Sequence, residues 1–117
     1  MGFEIGYNTS ARTYAEFLNK TFDTNYKGWF KSTYELDEDT TVWMIRLDSK
    51  ERDGYINYFD GSDIIEESSN PTRSKKKYRL VFKVNDIRNG YKTFTYLGRY
   101  FLSDKSSENR RIFVRTE

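Results

Sequence analysis

The chain reads as an α+β, mostly β fold: a strongly curved antiparallel sheet, or a small partly open barrel, of about seven strands with one N-terminal helix. Three observations predict this. After residue 27 the sequence is a series of short apolar and aromatic runs separated by turn dipeptides. Only Asn8–Phe22 places apolar residues at helical spacing. Aromatic residues make up 18% of the chain, which offsets a hydrophobic content of only 36%. Each buried ring removes roughly 150–250 Å² from water, so a few of them suffice to hold a small sheet.

The elements follow in order. In "NTSARTYAEFLNKTF" the residues Ala11, Tyr14, Ala15, Leu18 and Phe22 form one apolar stripe. Ser10 is a candidate N-cap, with Thr13 and Glu16 as an alternative capping box. "GWFKSTYEL" is a first strand, and the acidic turn "DEDT" leads into "TVWMIRLD", where Trp43, Ile45 and Leu47 share a face. "SKERDG" and "DGSD" turn the chain into "YINYF" and then "IIEES". Asp-Gly suits a tight hairpin because the turn needs positive φ, which glycine supplies without steric cost. "SSNPTRSKKK" is a loop holding the only proline, Pro71. "KYRLVFKVN" alternates, with Tyr78, Leu80, Phe82 and Val84 opposite Arg79, Val81 and Lys83. Asn89-Gly90 makes another hairpin, and "KTFTYLGRYFLS" and "RRIFVRT" complete an apparent meander. Gly98, inside a strand, marks a bulge or bend that lets the sheet curl. Residues 1–117 are expected to form a single domain.

The residue inventory narrows the chemistry. The chain has no Cys and no His. Disulfides, Cys/His zinc sites and triads with a His base are thereby excluded. No run reaches the roughly 20 apolar residues of a membrane helix, and no signal peptide opens the sequence, so a cytoplasmic protein without membrane contact is expected. Asp48 and Lys50 in "RLDSK" have the Asp-x-Lys spacing of one nuclease class, with Asp37 or Asp39 upstream. Such residues are also ordinary where a strand enters a polar turn. The expectation is a non-enzyme with no catalytic residue, metal or other cofactor.

Charge is unevenly distributed. Residues 1–60 carry 7 Lys and Arg against 11 Asp and Glu, whereas residues 61–117 carry 13 against 7. A basic second half suggests an anionic partner, or complementary faces within one fold. "RSKKKYR", Arg73–Arg79, places five basic residues in seven positions. On a nucleic-acid binder this run would track phosphates and make binding salt-sensitive; otherwise it is a solubilising loop. Alternation along "YKTFTYLGRYFL" sends Phe94, Tyr96, Gly98, Tyr100 and Leu102 inward. That leaves Tyr91 and Arg99, with Arg111 or Arg115 of the neighbouring strand, to form an outer face. Surface aromatics beside Arg or Lys can stack on bases.

The final strands, "TYLGRYFLSD" and "RRIFVR", resemble the ends of small β-domains attached to restriction nucleases and helicases, among them PUA-like readers of modified bases. The resemblance implies a curved barrel that accepts a flipped or modified base between aromatics, with Arg and Lys on the backbone. The leading expectation is a module that binds nucleic acid or a nucleotide. Lys75, Lys76, Lys77, Arg79, Arg99, Arg111 and Arg115 are expected on phosphates, and Tyr91 and Tyr58 are expected to stack. The alternative is a phage or mobile-element anti-defence protein that inhibits a host defence protein. In that case Asp37, Glu38 and Asp39 would imitate phosphates at the protein interface.

Overall fold

The computed structural model describes residues 3–29, 31–52, 54–69 and 76–116. Eight strands and one α-helix are present among them: β1 (Asn8–Ala11), α1 (Tyr14–Phe22), β2 (Thr33–Glu35), β3 (Thr40–Ile45), β4 (Ile56–Asp60), β5 (Asp63–Glu67), β6 (Tyr78–Asp86), β7 (Lys92–Leu102) and β8 (Arg110–Arg115). The strands form one open sheet in the order β2-β3-β6-β7-β8-β5-β4, with β1 pairing on β7. The expected mostly-β, curved sheet with an N-terminal helix is therefore the fold observed. It differs from a meander in that β3 and β6 run parallel, Thr40 opposite Tyr78 through Ile45 opposite Lys83. In addition, β5 pairs with β8 rather than with β6.

The helix is shorter than the stripe suggested. Asn8–Ala11 is extended and hydrogen-bonds to β7, with Asn8 opposite Thr95 and Ala11 opposite Lys92. Thr13 then caps α1, its hydroxyl accepting from the Glu16 N–H at 3.1 Å. Ser10 is thus a strand residue, because backbone partners on β7 outcompete one more helical turn. Phe17, outside the predicted stripe, is fully buried. Its ring stacks on Phe94 at 4.1 Å and 8° and meets Phe82 edge-on at 5.0 Å. Together with Leu18, Val42, Met44, Leu80 and Tyr96 these rings form a core between α1 and one face of the sheet. Burying Phe17 alone contributes about 2–3 kcal/mol.

The other face closes on itself. Trp43, Ile45, Ile64, Val81, Tyr100 and Phe113 form a second core inside the curl. The Ser49 N–H, just past β3, donates to the Asn57 carbonyl on β4 at 3.1 Å. Five strand steps separate β3 from β4 in the sheet order, which in a flat sheet would hold them about 24 Å apart. The Trp43 ring on β3 meets Phe113 on β8, three strand steps away, at 5.2 Å, so the sheet curls strongly while remaining open.

Strand β7 belongs to both cores because its register shifts. Phe82 faces Tyr96, but Val81 faces Gly98, so Leu97 is an extra residue. Gly98 sits at φ +131°, a conformation other residues rarely adopt. The bulge turns the strand over: Phe94 and Tyr96 face the helix, whereas Tyr100 faces the interior of the curl. The remaining hairpins follow the turn chemistry, with Asn89 at φ 63° and Gly90 at φ 78° between β6 and β7, and Gly61 at φ 64° between β4 and β5.

Candidate nucleic-acid interface

The expected phosphate-binding residues divide into an outer group and an inner group. Parallel pairing of β3 with β6 places the acidic β2–β3 turn directly against the start of β6, where the Tyr78 N–H donates to the Asp39 carbonyl at 2.9 Å. Lys76 lies at this junction. Its ammonium donates to the Asp37 carbonyl at 2.6 Å and pairs with Glu35 at 2.7 Å. Part of the charge asymmetry of the sequence thus resolves as acidic and basic segments meeting within the fold. The Asp37 carboxylate accepts the Asp39 and Thr40 N–H groups, each at 2.9 Å, and thereby shapes the turn. Asp37, Glu38 and Asp39 are all exposed.

The outer group centres on Tyr78, the first residue of β6. Two cations lie against its ring, the Lys77 ammonium 5.3 Å and the Arg99 guanidinium 4.8 Å from its centroid. Tyr78 pairs across the sheet with Phe101 and Leu80 with Arg99, so Tyr78 and Arg99 come from adjacent strands. Arg99 Nε also donates to the Thr116 hydroxyl at 3.2 Å, which fixes the guanidinium's direction. Arg115 is exposed and precedes Thr116. Lys76, Lys77, Arg99 and Arg115 therefore gather at one end of β6, β7 and β8. Lys75 lies outside the described residues.

The inner group runs against expectation. Arg79 and Arg111, expected at the surface, both point into the curl: Arg79 is 0% and Arg111 3% exposed. The two guanidinium groups share the buried Glu66, Arg79 at 3.1 Å from Oε2 and Arg111 at 3.3 Å from Oε1. The Arg79 guanidinium also lies 4.2 Å from each of the Trp43 and Phe113 rings. Those rings are 5.2 Å apart and tilted by 56°, so the cation sits against a V of aromatic faces. The physical reason is the curl: it buries both faces of β6, and the face that alternation assigned to solvent became a second core. Among the described residues, two further buried polar atoms in this region have no hydrogen-bond partner. They are Trp43 Nε1 and Oδ1 of Asn57, the latter on β4 opposite Glu66.

Arg99, Arg111 and Arg115 do not share a face with Tyr91. Tyr91 precedes β7, whereas Arg99 lies near its other end, about 26 Å along an extended strand. The Tyr91 ring instead carries the Arg12 guanidinium at 4.7 Å. Tyr58 is half-buried on β4, its hydroxyl donating to the Glu67 carboxylate at 3.0 and 3.1 Å. Desolvation and the neighbouring Glu67 raise its pKa, so the hydroxyl stays protonated at neutral pH. Asp48 is held by both guanidinium nitrogens of Arg52 at 2.6 Å and accepts the Lys50 N–H at 3.1 Å. The Arg52 hydrogen bonds hold the Asp48 carboxyl well below the usual carboxylate range. Among the described residues no helix is long and apolar enough to cross a membrane.

Among the described residues the surface has several concavities near these strands, one of about 310 Å³ beside Leu102, Ser103 and Arg111. A cleft of about 560 Å³ runs beside β4 and β5, lined by Glu51, Ile56, Glu67, Ser68 and Asn109 among others. A smaller pocket of about 210 Å³ lies at the β2 edge, on the same side as Glu35.

No protein-family model matches this chain, and no curated protein sequence does. Among solved structures the chain is similar to the 5-hydroxymethylcytosine-specific restriction enzyme AbaSI, with a TM-score of 0.69 at 20% sequence identity. The similarity covers 94% of this chain and 39% of that enzyme, so the chain spans about two fifths of its length. At this identity the likeness is one of fold.

Proposed function

We propose that this domain is a non-enzymatic DNA-binding module that recognises DNA carrying a modified cytosine, as the PUA-like readers resembled by its closing strands do with modified bases. The observation that carries this reading is the extent of the fold likeness: nearly the whole chain superposes on part of an enzyme specific for 5-hydroxymethylcytosine. The outer group gives the reading its chemistry. Lys77, Arg99 and Arg115 would take phosphates, the exposed Lys77 as a point charge and the half-buried Arg99 and exposed Arg115 as forks. Tyr78, whose ring carries Lys77 and Arg99, would stabilise their placement.

The test is a titration of labelled duplexes that differ only in one cytosine: unmodified, 5-methyl or 5-hydroxymethyl. The expected result is binding at low salt that weakens as salt rises, tightest for the 5-hydroxymethylated duplex. Absence of binding to any duplex at low salt would defeat the proposal, and equal affinity for the three would remove the modified-base element.

A further inference from the structure

The small pocket at the β2 edge is built from three aromatic rings. Tyr26, Trp29 and Tyr34 lie with centroids 4.7, 5.7 and 6.0 Å apart and at steep mutual angles. Lys31, Thr33 and Glu35 complete the lining. The loop that carries Tyr26 and Trp29 is fixed by α1. The Asn19 side chain accepts the Tyr26 N–H and donates to the Tyr26 carbonyl, both at 2.8 Å, and Thr24 donates its hydroxyl to Asn19 Oδ1 at 2.7 Å. Trp29 Nε1 donates to the Thr33 carbonyl at 3.2 Å, which ties the ring to β2. The rings are thus preset, and Tyr26 stays 36% exposed.

Charge decides between the occupants such a pocket could take. A cationic ammonium would need an available carboxylate, but Glu35 is engaged by Lys76 at 2.7 Å and by the Thr41 hydroxyl at 3.2 Å. Lys31 in the lining is exposed and repels a cation. A planar, uncharged group attached to an anion fits both features. At about 210 Å³ the pocket is smaller than the roughly 300–1,000 Å³ of drug-sized sites, which suits a single ring system. Through Glu35 and Lys76 the pocket is also continuous with the outer cationic group.

We infer that the Tyr26–Trp29–Tyr34 pocket takes one unstacked nucleobase from a single-stranded or unpaired stretch, with its phosphate on Lys31. The inference rests on the DNA-binding reading and adds to it a second contact, selective for unpaired strands. Base–aromatic stacking tolerates any base, so the pocket would sense strandedness rather than sequence.

The test compares a short labelled oligothymidylate with a fully paired duplex at low salt. Trp29→Ala and Tyr26→Ala should each weaken oligothymidylate binding by about tenfold while changing duplex affinity by less than about twofold. Lys31→Glu, an exposed substitution that leaves the packing intact, should also weaken the oligothymidylate selectively. Unchanged oligothymidylate affinity in all three variants overturns the pocket, as does equal weakening of both ligands. Duplex binding by the wild-type protein without oligothymidylate binding overturns the pocket and leaves the DNA-binding reading standing. Binding of neither ligand overturns both.

Discussion

Glu66 receives Arg79 on one carboxylate oxygen and Arg111 on the other, at 3.1 and 3.3 Å, with the three side chains 0–3% exposed. One acid thus serves two bases and joins β5, β6 and β8 inside the curl. Removing the shared acid leaves two buried cations facing each other, whereas removing Arg79 leaves a pair. Glu66→Gln should therefore destabilise the protein by about 3–5 kcal/mol, and Arg79→Met by distinctly less. Chemical denaturation of both variants checks the order; equal losses would mean that the acid is not the shared partner.

Gly98→Ala tests the bulge. At φ +131° a Cβ is strained whatever space surrounds it, and the cost should exceed about 1 kcal/mol. Thermal unfolding reads the loss. A neutral substitution would show that β7 turns over by other means.

In DNA binding, Lys77→Ala, Arg99→Ala and Arg115→Ala should each reduce the slope of log affinity against log salt by about 0.9, the signature of one lost phosphate contact. Tyr91→Ala, which lies at the other end of β7, should leave the slope unchanged. The same shift for all four variants would place the contact surface elsewhere.

Acid stability carries a sign that can be worked out. The hydrogen bonds from Arg46 depress the Asp86 pKa, and those from Arg52 depress that of Asp48. Each contributes stability that is present above the unfolded carboxylate value of about 3.9 and is lost as pH falls through the lower folded value. Asp86→Asn and Asp48→Asn should therefore be less stable than wild type near neutrality and converge with it in acid. A gap in melting temperature that stays constant down to about pH 2 would contradict this assignment.

The strands were legible because their signals are local. The apolar runs, Gly61, Asn89-Gly90 and the alternation of β6 lie within a few residues of one another, and the bend at Gly98 was visible as a glycine inside a strand. Strand β1 was not legible: "NTSA" is short and polar, and its extended state comes from a partner on β7 more than 80 residues away. The interior cluster was equally hidden, since Glu66 meets residues 13 and 45 positions along the chain. Alternation gave each strand two faces but not the curl that buries both, so Arg79 and Arg111 read as surface. Of the candidate site, Lys76, Lys77 and Arg99 were found from charge and position. Tyr78, whose ring lies under Lys77 and Arg99, was placed only on the Leu80–Phe82–Val84 face of β6 and was not singled out as a site residue.

The register shift in β7 has a dynamic consequence. Because the strand changes sides at Leu97–Gly98, its first half is clamped by the helix-side rings and its second half by the interior of the curl. Neither core can open without straining the backbone of the other, so the two are coupled through a single peptide ribbon. The β7 amides on either side of the bulge should then exchange with solvent only through complete unfolding, at one common free energy.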